Sequence, residues 1–198
     1  MPVPLTQTKH IDKNMLDLEI DRFAQLDKPS LAALNRVGTA AQIQSGIEDK
    51  KLARFRRKGV KMDKEALETE RHYSGRMALQ LTRAGYARPS RRCEAHAIVS
   101  GQHRLAGQMR AVLAWCKVRV DDHHNGCWLP AFKDDKPFMP NFLSNAVPHR
   151  NIHTNAYYRW MDGQISPAKI NNLEDLVKKL ENIRFRLQSG SIPDHIYS

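Results

Sequence analysis

Three short segments between Cys93 and Tyr157 suit one shared metal site, and the first and third of them carry histidines. They read EAHAIV at 94–99, NGCWLP at 125–130 and HRNIHTNAY at 149–157. Neutral imidazole is a common ligand of divalent metals, and residues four apart fall on one face of a helix. His149 and His153 can therefore hold the same ion, and His96 can complete a site of three histidines. A metal held in this way keeps open positions for water and a phosphate oxygen, which is the arrangement that a hydrolase needs.

The order and spacing of these segments resemble the His-Asn-His and endonuclease VII superfamily, in the branch of bacterial polymorphic toxins named for an Ala-His-His motif. That branch has Ala-His-His on a strand, then a turn with Asn-Gly and Leu-Pro, then a helix with His-x-x-x-His-x-x-x-Tyr. The matching residues here are Ala95-His96-Ala97, Asn125-Gly126 with Leu129-Pro130, and His149, His153 and Tyr157. The resemblance covers roughly residues 89–190, about half of the chain.

The resemblance implies a mostly helical α+β fold. Its ββα-metal nuclease core would consist of two short strands plus a metal-binding helix, with an N-terminal helical region and a C-terminal helix around it. His96, His149 and His153 would hold one divalent ion, either zinc, magnesium, manganese or nickel. Asn125 would fix the local loop and keep the base oriented. Arg150 stands next to a ligand, and its guanidinium suits contact with the scissile phosphate.

Ala97 departs from the family pattern, because the family has its second tandem histidine there. The resemblance identifies that histidine as the general base that takes a proton from the attacking water. A methyl group cannot accept a proton, and loss of a positioned base typically costs about 10²–10⁴ in rate. We therefore expect an inactivated nuclease, made deliberately or present as a natural pseudo-enzyme.

Other histidines near the motif leave alternatives open. His123 and His124 stand beside Asn125, where they could replace a ligand or act as a weak base, although a polar turn is the better interpretation. His103 is expected to lie outside the site. Tyr157, one helical turn beyond His153, is expected to pack rather than to act near the metal.

Hydrophobic periodicity and turn residues predict the remaining elements. The predicted strands are Arg91–Val99, Val118–Val120 and Cys127–Leu129, and the Asn125-Gly126 pair is expected to turn with positive φ. The predicted helices are Asp12–Phe23, one from Ser30, Glu65–Arg83, one from Gly101, Pro148–Met161 and one from Ser166. A shift in composition at Ala87–Ser90 divides residues 1–88, a helical region of unknown role, from residues 89–198, a His-Asn-His-type ββα-metal nuclease domain.

The net charge of +11 and the sequence pI of about 9.8 favour polyanionic partners: nucleic acid, an anionic membrane face or an acidic protein. Membrane insertion is not expected, because no apolar run approaches the roughly 20 residues that a spanning helix needs. The N-terminus lacks the apolar core of a signal peptide, so export would require a dedicated secretion apparatus or a larger parent toxin. The three cysteines show no Cys-x-x-Cys pair, which indicates reduced thiols.

The densest basic run lies between Lys50 and Lys61. It is either a solvated helix face or a surface that contacts phosphates beside the nuclease groove. The residues of the run that would contact DNA are Lys50, Lys51, Arg54, Arg56, Arg57 and Lys58.

The leading interpretation is a toxin endonuclease domain that cuts DNA with little sequence preference in competition between bacteria. It would be exported without a signal peptide, act in the cytoplasm of the target cell and require an acidic cognate immunity protein in its producer. The alternative from another class is a noncatalytic nucleic-acid-binding module with a structural zinc site. RNA as the substrate also stays open.

Overall fold

A computed structural model of the protein describes residues 13–197, which fall into two compact units divided after Lys50. The division lies within one long helix, α2 (Leu31–Lys61), so this helix contributes to both units. Among the described residues, no helix has both the length and the apolar character that crossing a membrane would require.

The first unit consists of α1 (Met15–Ala24) and the first part of α2. The Asn14 side chain accepts a hydrogen bond from the backbone of Asp17, whose carboxylate accepts one from the backbone of Asn14, and this exchange fixes the start of α1. Ser30 caps α2 through the backbone N–H of Ala33, as the helix predicted from Ser30 requires. Leucine and isoleucine side chains stay largely exposed, so the unit has little core of its own.

The second unit contains the rest of α2 and all the remaining elements. Its helices are α3 (Lys64–Glu68), α4 (Ser74–Arg83), α5 (Gly107–Trp115), α6 (His149–Ile152), α7 (Asn155–Asp162) and α8 (Leu173–Ser189). Its strands are β1 (Cys93–Ala97) and β2 (Gly126–Pro130). The architecture is therefore a mostly helical α+β fold, as the sequence predicts.

The two strands form one antiparallel pair in which Cys93 faces Pro130 and Ala97 faces Gly126. Successive side chains of a strand point to opposite faces, so Glu94 and His96 share one face of β1 while Ala95 and Ala97 share the other. Helix α4 packs on β1, and α8 packs on β2. The strand predictions at 91–99 and 127–129 are confirmed, with shorter bounds for the first.

The predicted strand Val118–Val120 is wrong, because the chain uses this segment to end α5. Lys117 adopts a left-handed conformation with φ of 58°, and the backbone N–H of Val118 donates to the carbonyl of Leu113 at 2.9 Å. This bond satisfies a free carbonyl at the helix end. Residues 118–120 therefore serve as a connection to the 123–125 turn and do not pair with a strand.

The predicted positive φ at Asn125-Gly126 is also wrong. Asn125 ends a short 3-10 turn, and Gly126 is extended with φ of −122° as the first residue of β2. Glycine is required here for space, since a Cβ at this position would collide with the sulfur of Met77 on α4. The glycine thus permits the close approach of α4 to the sheet.

Four helix predictions need correction at their boundaries. The helix predicted from Gly101 begins at Gly107 as α5, after a 3-10 turn at Arg104–Ala106. The predicted Glu65–Arg83 helix is interrupted between α3 and α4, and the predicted Pro148–Met161 helix is interrupted between α6 and α7. The second break follows from Thr154, whose hydroxyl accepts from the backbone of Tyr157 and caps α7. Helix α8 begins at Leu173 rather than at Ser166, with Asn172 as its cap and a buried stripe of Leu176, Leu180, Ile183 and Leu187.

Arg184 of α8 is the buried cation that joins the last helix to the sheet. Its Nε donates to the carbonyl of Gly126 at 2.9 Å, and its Nη2 donates to the carbonyl of His123. The guanidinium also lies over the ring of Tyr86, 4.4 Å from the centroid. The start of β2 is therefore held from the side of α8 as well as by its pairing with β1.

The contact-based division after Lys50 differs from the predicted boundary between residues 88 and 89. Helices α3 and α4 pack with the strands and α5 in the second unit. The division between residues 1–88 and 89–198 stays a prediction about function.

We predict that Gly190→Ala lowers the free energy of unfolding by about 2–4 kcal/mol, from backbone strain and a collision together. Gly190 ends α8 with φ of +70°, and a Cβ there would collide with the carbonyl oxygen of Asn145, near the segment that leads to His149. Gly85 is the matched control, because its φ is +85° but nothing lies within 4 Å of its Cβ position. Urea denaturation should show the larger loss for Gly190→Ala, and equal losses would contradict the collision.

Candidate metal centre

Three histidines from separate segments converge in the second unit. His96 comes from β1, His149 begins α6, and His153 follows the end of that helix. The ring centroids are 5.2 Å apart in all three pairs, and Nε2 of His149 lies 3.2 Å from Nε2 of His153. Metal–nitrogen bonds of about 2.1 Å in a tetrahedral site place ligand atoms about 3.4 Å apart. The pair formed by His149 and His153 thus already has the spacing of two ligands of one ion.

Glu94 orients His149. Its Oε2 lies 2.6 Å from Nδ1 of His149, so this nitrogen carries the proton and Nε2 is left to face the other histidines. The second carboxylate oxygen accepts from Nη2 of Arg150 at 2.9 Å. The hydrogen bond from Arg150 and the neighbouring His149 lower the pKa of Glu94, which keeps the carboxylate ionised.

Tyr158 orients His153 in a similar way. The Tyr158 hydroxyl lies 2.9 Å from Nδ1 of His153, and its ring stacks on His103 with 3.8 Å between centroids. Partial burial and the nearby His149 lower the pKa of His153 to about 4, although part of the ring is open to solvent. His153 is therefore neutral at pH 7 and available as a ligand.

His96 is fully buried and has one nitrogen without a hydrogen-bond partner among the described residues. The Tyr157 hydroxyl donates to the carbonyl of Ile98 at 2.8 Å, so its oxygen is left to accept from Nε2 of His96 at 3.4 Å. Nδ1 of His96 then carries a lone pair with no partner. Burial, followed by the charges of His149 and His153, lowers the pKa of His96 well below 6.5. A buried, neutral and unsatisfied imidazole nitrogen fits a metal ligand.

The three histidines could therefore hold a divalent ion, since their ligand atoms all lie within 4.8 Å of one another. The structure brings together the three residues that the sequence singles out. Tyr157, expected only to pack, is both buried and hydrogen-bonded beside His96.

Asn125 is fully buried, and its side chain binds the backbone of Val99 and Val120. Its Nδ2 donates to the carbonyls of Val99 at 3.0 Å and Val120 at 2.8 Å, and its Oδ1 accepts from the N–H of Val99 at 2.8 Å. The backbone N–H of Ile98 donates to the carbonyl of Asn125 at 2.8 Å. Asn125 thus fixes the chain that leaves β1.

A groove of about 860 Å³ opens beside the histidines, between β1 and α4. Glu94, His149, Arg150 and His153 line one part of it, and Ala95 lies in its wall. Ala97 is the last residue of β1 and is 5% exposed. Because Ala97 shares its strand face with Ala95 and pairs with Gly126, which packs against α4, a longer side chain at position 97 would extend toward α4.

The residues of the basic run separate into different environments. Arg56 forms two hydrogen bonds to Asp122, at 3.1 and 3.2 Å, so it is engaged within the protein. Lys50 and Arg57 are exposed. Lys51, Arg54 and Lys58 line a second cavity.

His123 and His124 form a separate group with Asp122, whose ligand atoms also lie within 4.8 Å of one another. Burial is the main cause that lowers the pKa of His123 to about 3. The guanidinium of Arg56 already occupies the Asp122 carboxylate, so this group has a cation of its own.

Sequence reasoning missed Glu94 and Tyr158. These residues orient His149 and His153, the two histidines of the site that are not fully buried. The period of two in a strand could have identified Glu94, because it places this residue on the face of His96. No sequence signal identifies Tyr158, since its contact with His153 depends on the break between α6 and α7.

A family model described as AHH, a nuclease family of the HNH/ENDO VII superfamily with conserved AHH, matches residues 77–189. The match covers more than half of the chain and runs from α4 to the end of α8. It therefore includes both strands and all three converging histidines. No curated protein and no solved structure matches the chain.

We predict that the metal-free protein loses stability as the pH falls below about 6.5. Below this pH the histidines of the unfolded chain take up protons. In the folded chain the pKa values of His96 and His153 are lowered, to about 4 for His153, so these two residues take up protons only at lower pH. His96→Asn should reduce the slope of unfolding free energy against pH by up to about 1.4 kcal/mol per unit, or one proton. Urea denaturation in EDTA at several pH values measures this slope. The exposed His195→Asn is the control, and an unchanged slope in His96→Asn would contradict the interpretation.

Proposed function

Because the chain belongs to the AHH nuclease family of the HNH/ENDO VII superfamily, we propose that it is a metal-dependent DNA endonuclease domain centred on His96, His149 and His153. The observation that carries the proposal is the triangle of three imidazoles with Nδ1 of His96 buried and unpartnered. A buried acceptor without a partner costs about 1–3 kcal/mol, and ligation of a cation would remove that cost.

The ββα-metal core of the proposed enzyme consists of β1, β2 and the α6–α7 segment. The antiparallel pair supplies His96, and the helical segment supplies His149 and His153. The break after α6 does not separate the last two histidines, because their Nε2 atoms face each other at 3.2 Å. This arrangement supports a single ion between the sheet and the helical segment.

In the proposed mechanism each side chain has a distinct task. A bound divalent ion supplies positive charge where negative charge develops on the phosphoryl group and the leaving oxygen. Glu94 and Tyr158 hold His149 and His153 so that their Nε2 atoms point inward. Arg150 uses one nitrogen for Glu94 and keeps further N–H donors on the groove, which can bind a phosphate oxygen.

Ala97 supports the further proposal that this chain is an inactivated form. A general base must lie within hydrogen-bond reach of the attacking water, and alanine has no group that accepts a proton. A histidine at position 97 would leave β1 on the face that carries Ala95, which lines the groove. The missing base and the retained histidine triangle together suggest a chain that binds metal and DNA but cuts slowly or not at all.

Cleavage with little sequence preference is the mode that we propose. The net charge of +11 favours binding to a phosphate backbone, and contacts of this kind supply affinity without reading bases. We further propose a role as a toxin domain in competition between bacteria, exported without a signal peptide by a secretion apparatus or within a larger parent toxin. An acidic immunity protein would then protect the producer, since opposite charge speeds capture.

We predict that the Ala97 chain binds one divalent ion, because the three proposed ligands are intact. Isothermal titration calorimetry with zinc or nickel should give a stoichiometry near one per chain. His149→Ala and His153→Ala should each weaken binding by at least about tenfold, the loss seen when even an indirect metal contact is removed. His195→Ala, at an exposed position away from the triangle, is the control. Unchanged binding in the first two variants would exclude the proposed ligands.

We predict that Ala97→His makes the purified protein cut plasmid DNA in the presence of added metal, with a gain of about 10²–10⁴ in rate. Ala97→Gln is the matched control, because it adds a polar side chain that cannot act as a base. The double variant Ala97→His with His149→Ala should not cut. If Ala97→His binds DNA and metal but cuts no faster than its parent, a noncatalytic zinc module becomes the better account. Cleavage of RNA alone would change the proposed substrate.

A further inference from the structure

A second cavity, of about 380 Å³, is lined in part by α4. The face of α4 that lines it is next to the face that lines the histidine groove. We call it the cationic pocket, because six basic side chains and one phenylalanine line it. These residues are Lys51, Arg54, Phe55, Lys58, Arg76, Arg83 and Arg119. All of them belong to the second unit, which also contains the histidine centre.

Helix periodicity explains why these cations converge. Lys51, Arg54 and Lys58 are spaced by three and four residues, so they form one stripe along α2. Arg76 and Arg83 are seven apart and share one face of α4. The pocket is therefore lined by only one face of the basic run. Lys50, Arg56 and Arg57 lie outside it, and Arg56 is bound to Asp122. The run alone would not identify Arg76, Arg83 and Arg119 as part of the same surface.

Carboxylates satisfy only part of this positive charge. Glu70 pairs with Arg119 and Arg76, and Asp121 also pairs with Arg76. Among the residues that the structure describes, the side chains of Arg54 and Lys58 have no ion pair or hydrogen bond. Cations crowded around a cavity repel one another unless an anion enters, so the pocket favours an external anionic group.

The exposed ridge of α4 separates the cationic pocket from the histidine groove. Gly75, Leu79 and Thr82 are spaced by four and three residues, are all exposed, and line the groove side of this ridge. The width of one helix, about 10 Å, is therefore the scale of the separation. Duplex DNA rises about 3.4 Å per base pair, so this width corresponds to roughly three base pairs.

We propose that the cationic pocket binds a backbone phosphate of the same nucleic acid that the histidine centre cleaves, a few nucleotides from the scissile bond. This inference rests on the proposed function, since it assumes that nucleic acid occupies the groove. A polyanion with regularly spaced charges fits both cavities across one ridge, and arginine forks suit phosphate oxygens. The pocket would fix the position of the strand and supply affinity without reading bases.

The test uses the Ala97 chain, which is expected to bind DNA without cutting it. Fluorescence anisotropy in EDTA with a 20-base-pair duplex gives the affinity at several salt concentrations. The double variant Arg54→Gln with Lys58→Gln should reduce the slope of log affinity against log salt by about 1.8, or 0.9 for each lost phosphate contact. The affinity near 0.1 M salt should fall by at least about tenfold.

The matched control is Lys50→Gln with Arg57→Gln, which removes the same charge from the same helix but not from the pocket. Its slope should stay within about 0.5 of the parent, since released counterions report phosphate contacts. Thermal unfolding must show that both double variants are folded. Equal reductions in the two double variants would overturn the proposal, because any basic face would then suffice. An unchanged slope in the pocket variant, or no DNA binding by any chain, would overturn it as well.

Two further measurements separate this proposal from the others. If the pocket variant keeps its DNA affinity but loses binding to polyglutamate, the pocket takes an acidic protein and the proposal fails. His149→Ala should leave the slope in EDTA unchanged, because the pocket does not depend on metal. If Ala97→His does not cut DNA but the pocket variant shows the expected loss of slope, the proposed catalysis fails and phosphate binding by the cationic pocket is retained.

Discussion

The buried side chain of Asn125 holds the centre of the second unit together. Its amide accepts a hydrogen bond from the N–H of Val99 and donates to the carbonyls of Val99 and Val120. No apolar residue could form these three bonds. A buried polar network is stable only when every member is satisfied, and this one is. The end of β1, the start of β2 and the connection between them therefore have fixed positions. Tyr157, which bonds to Ile98 in the same segment, then places the helical histidines relative to His96.

Much of the site could be predicted because it follows from local rules. Strand alternation and helix periodicity predict β1, β2 and a helical segment with His149 and His153, and the order of the motifs predicts their convergence. The failures come from tertiary contacts that override local preference. Thr154 caps a new helix inside a continuous helical pattern, and Lys117 ends α5 where a strand pattern follows. Gly126 is needed for space against Met77 rather than for positive φ.

The environment of charged groups could not be predicted from the sequence. Arg56 looks like its neighbours in the basic run, yet it donates two hydrogen bonds to Asp122, 66 residues away. Glu94 precedes the histidine motif without any motif of its own, yet it fixes both His149 and Arg150. Composition gives the net charge, whereas only the fold decides which cations face an internal carboxylate and which face solvent. For the same reason, arginines from three separate segments share a cavity that no sequence pattern marks.

Arg184 gives the fold a particular order of assembly during synthesis. The carbonyls of His123 and Gly126 receive their buried donor from α8, about 60 residues later in the chain. A nascent chain that has emerged only as far as α7 holds all three histidines but lacks the helix that covers β2. Until the ribosome has released α8, these carbonyls lack their donor from Arg184 and the sheet lacks one of its packing surfaces. The histidine centre therefore gains its full packing only after α8 has been synthesised.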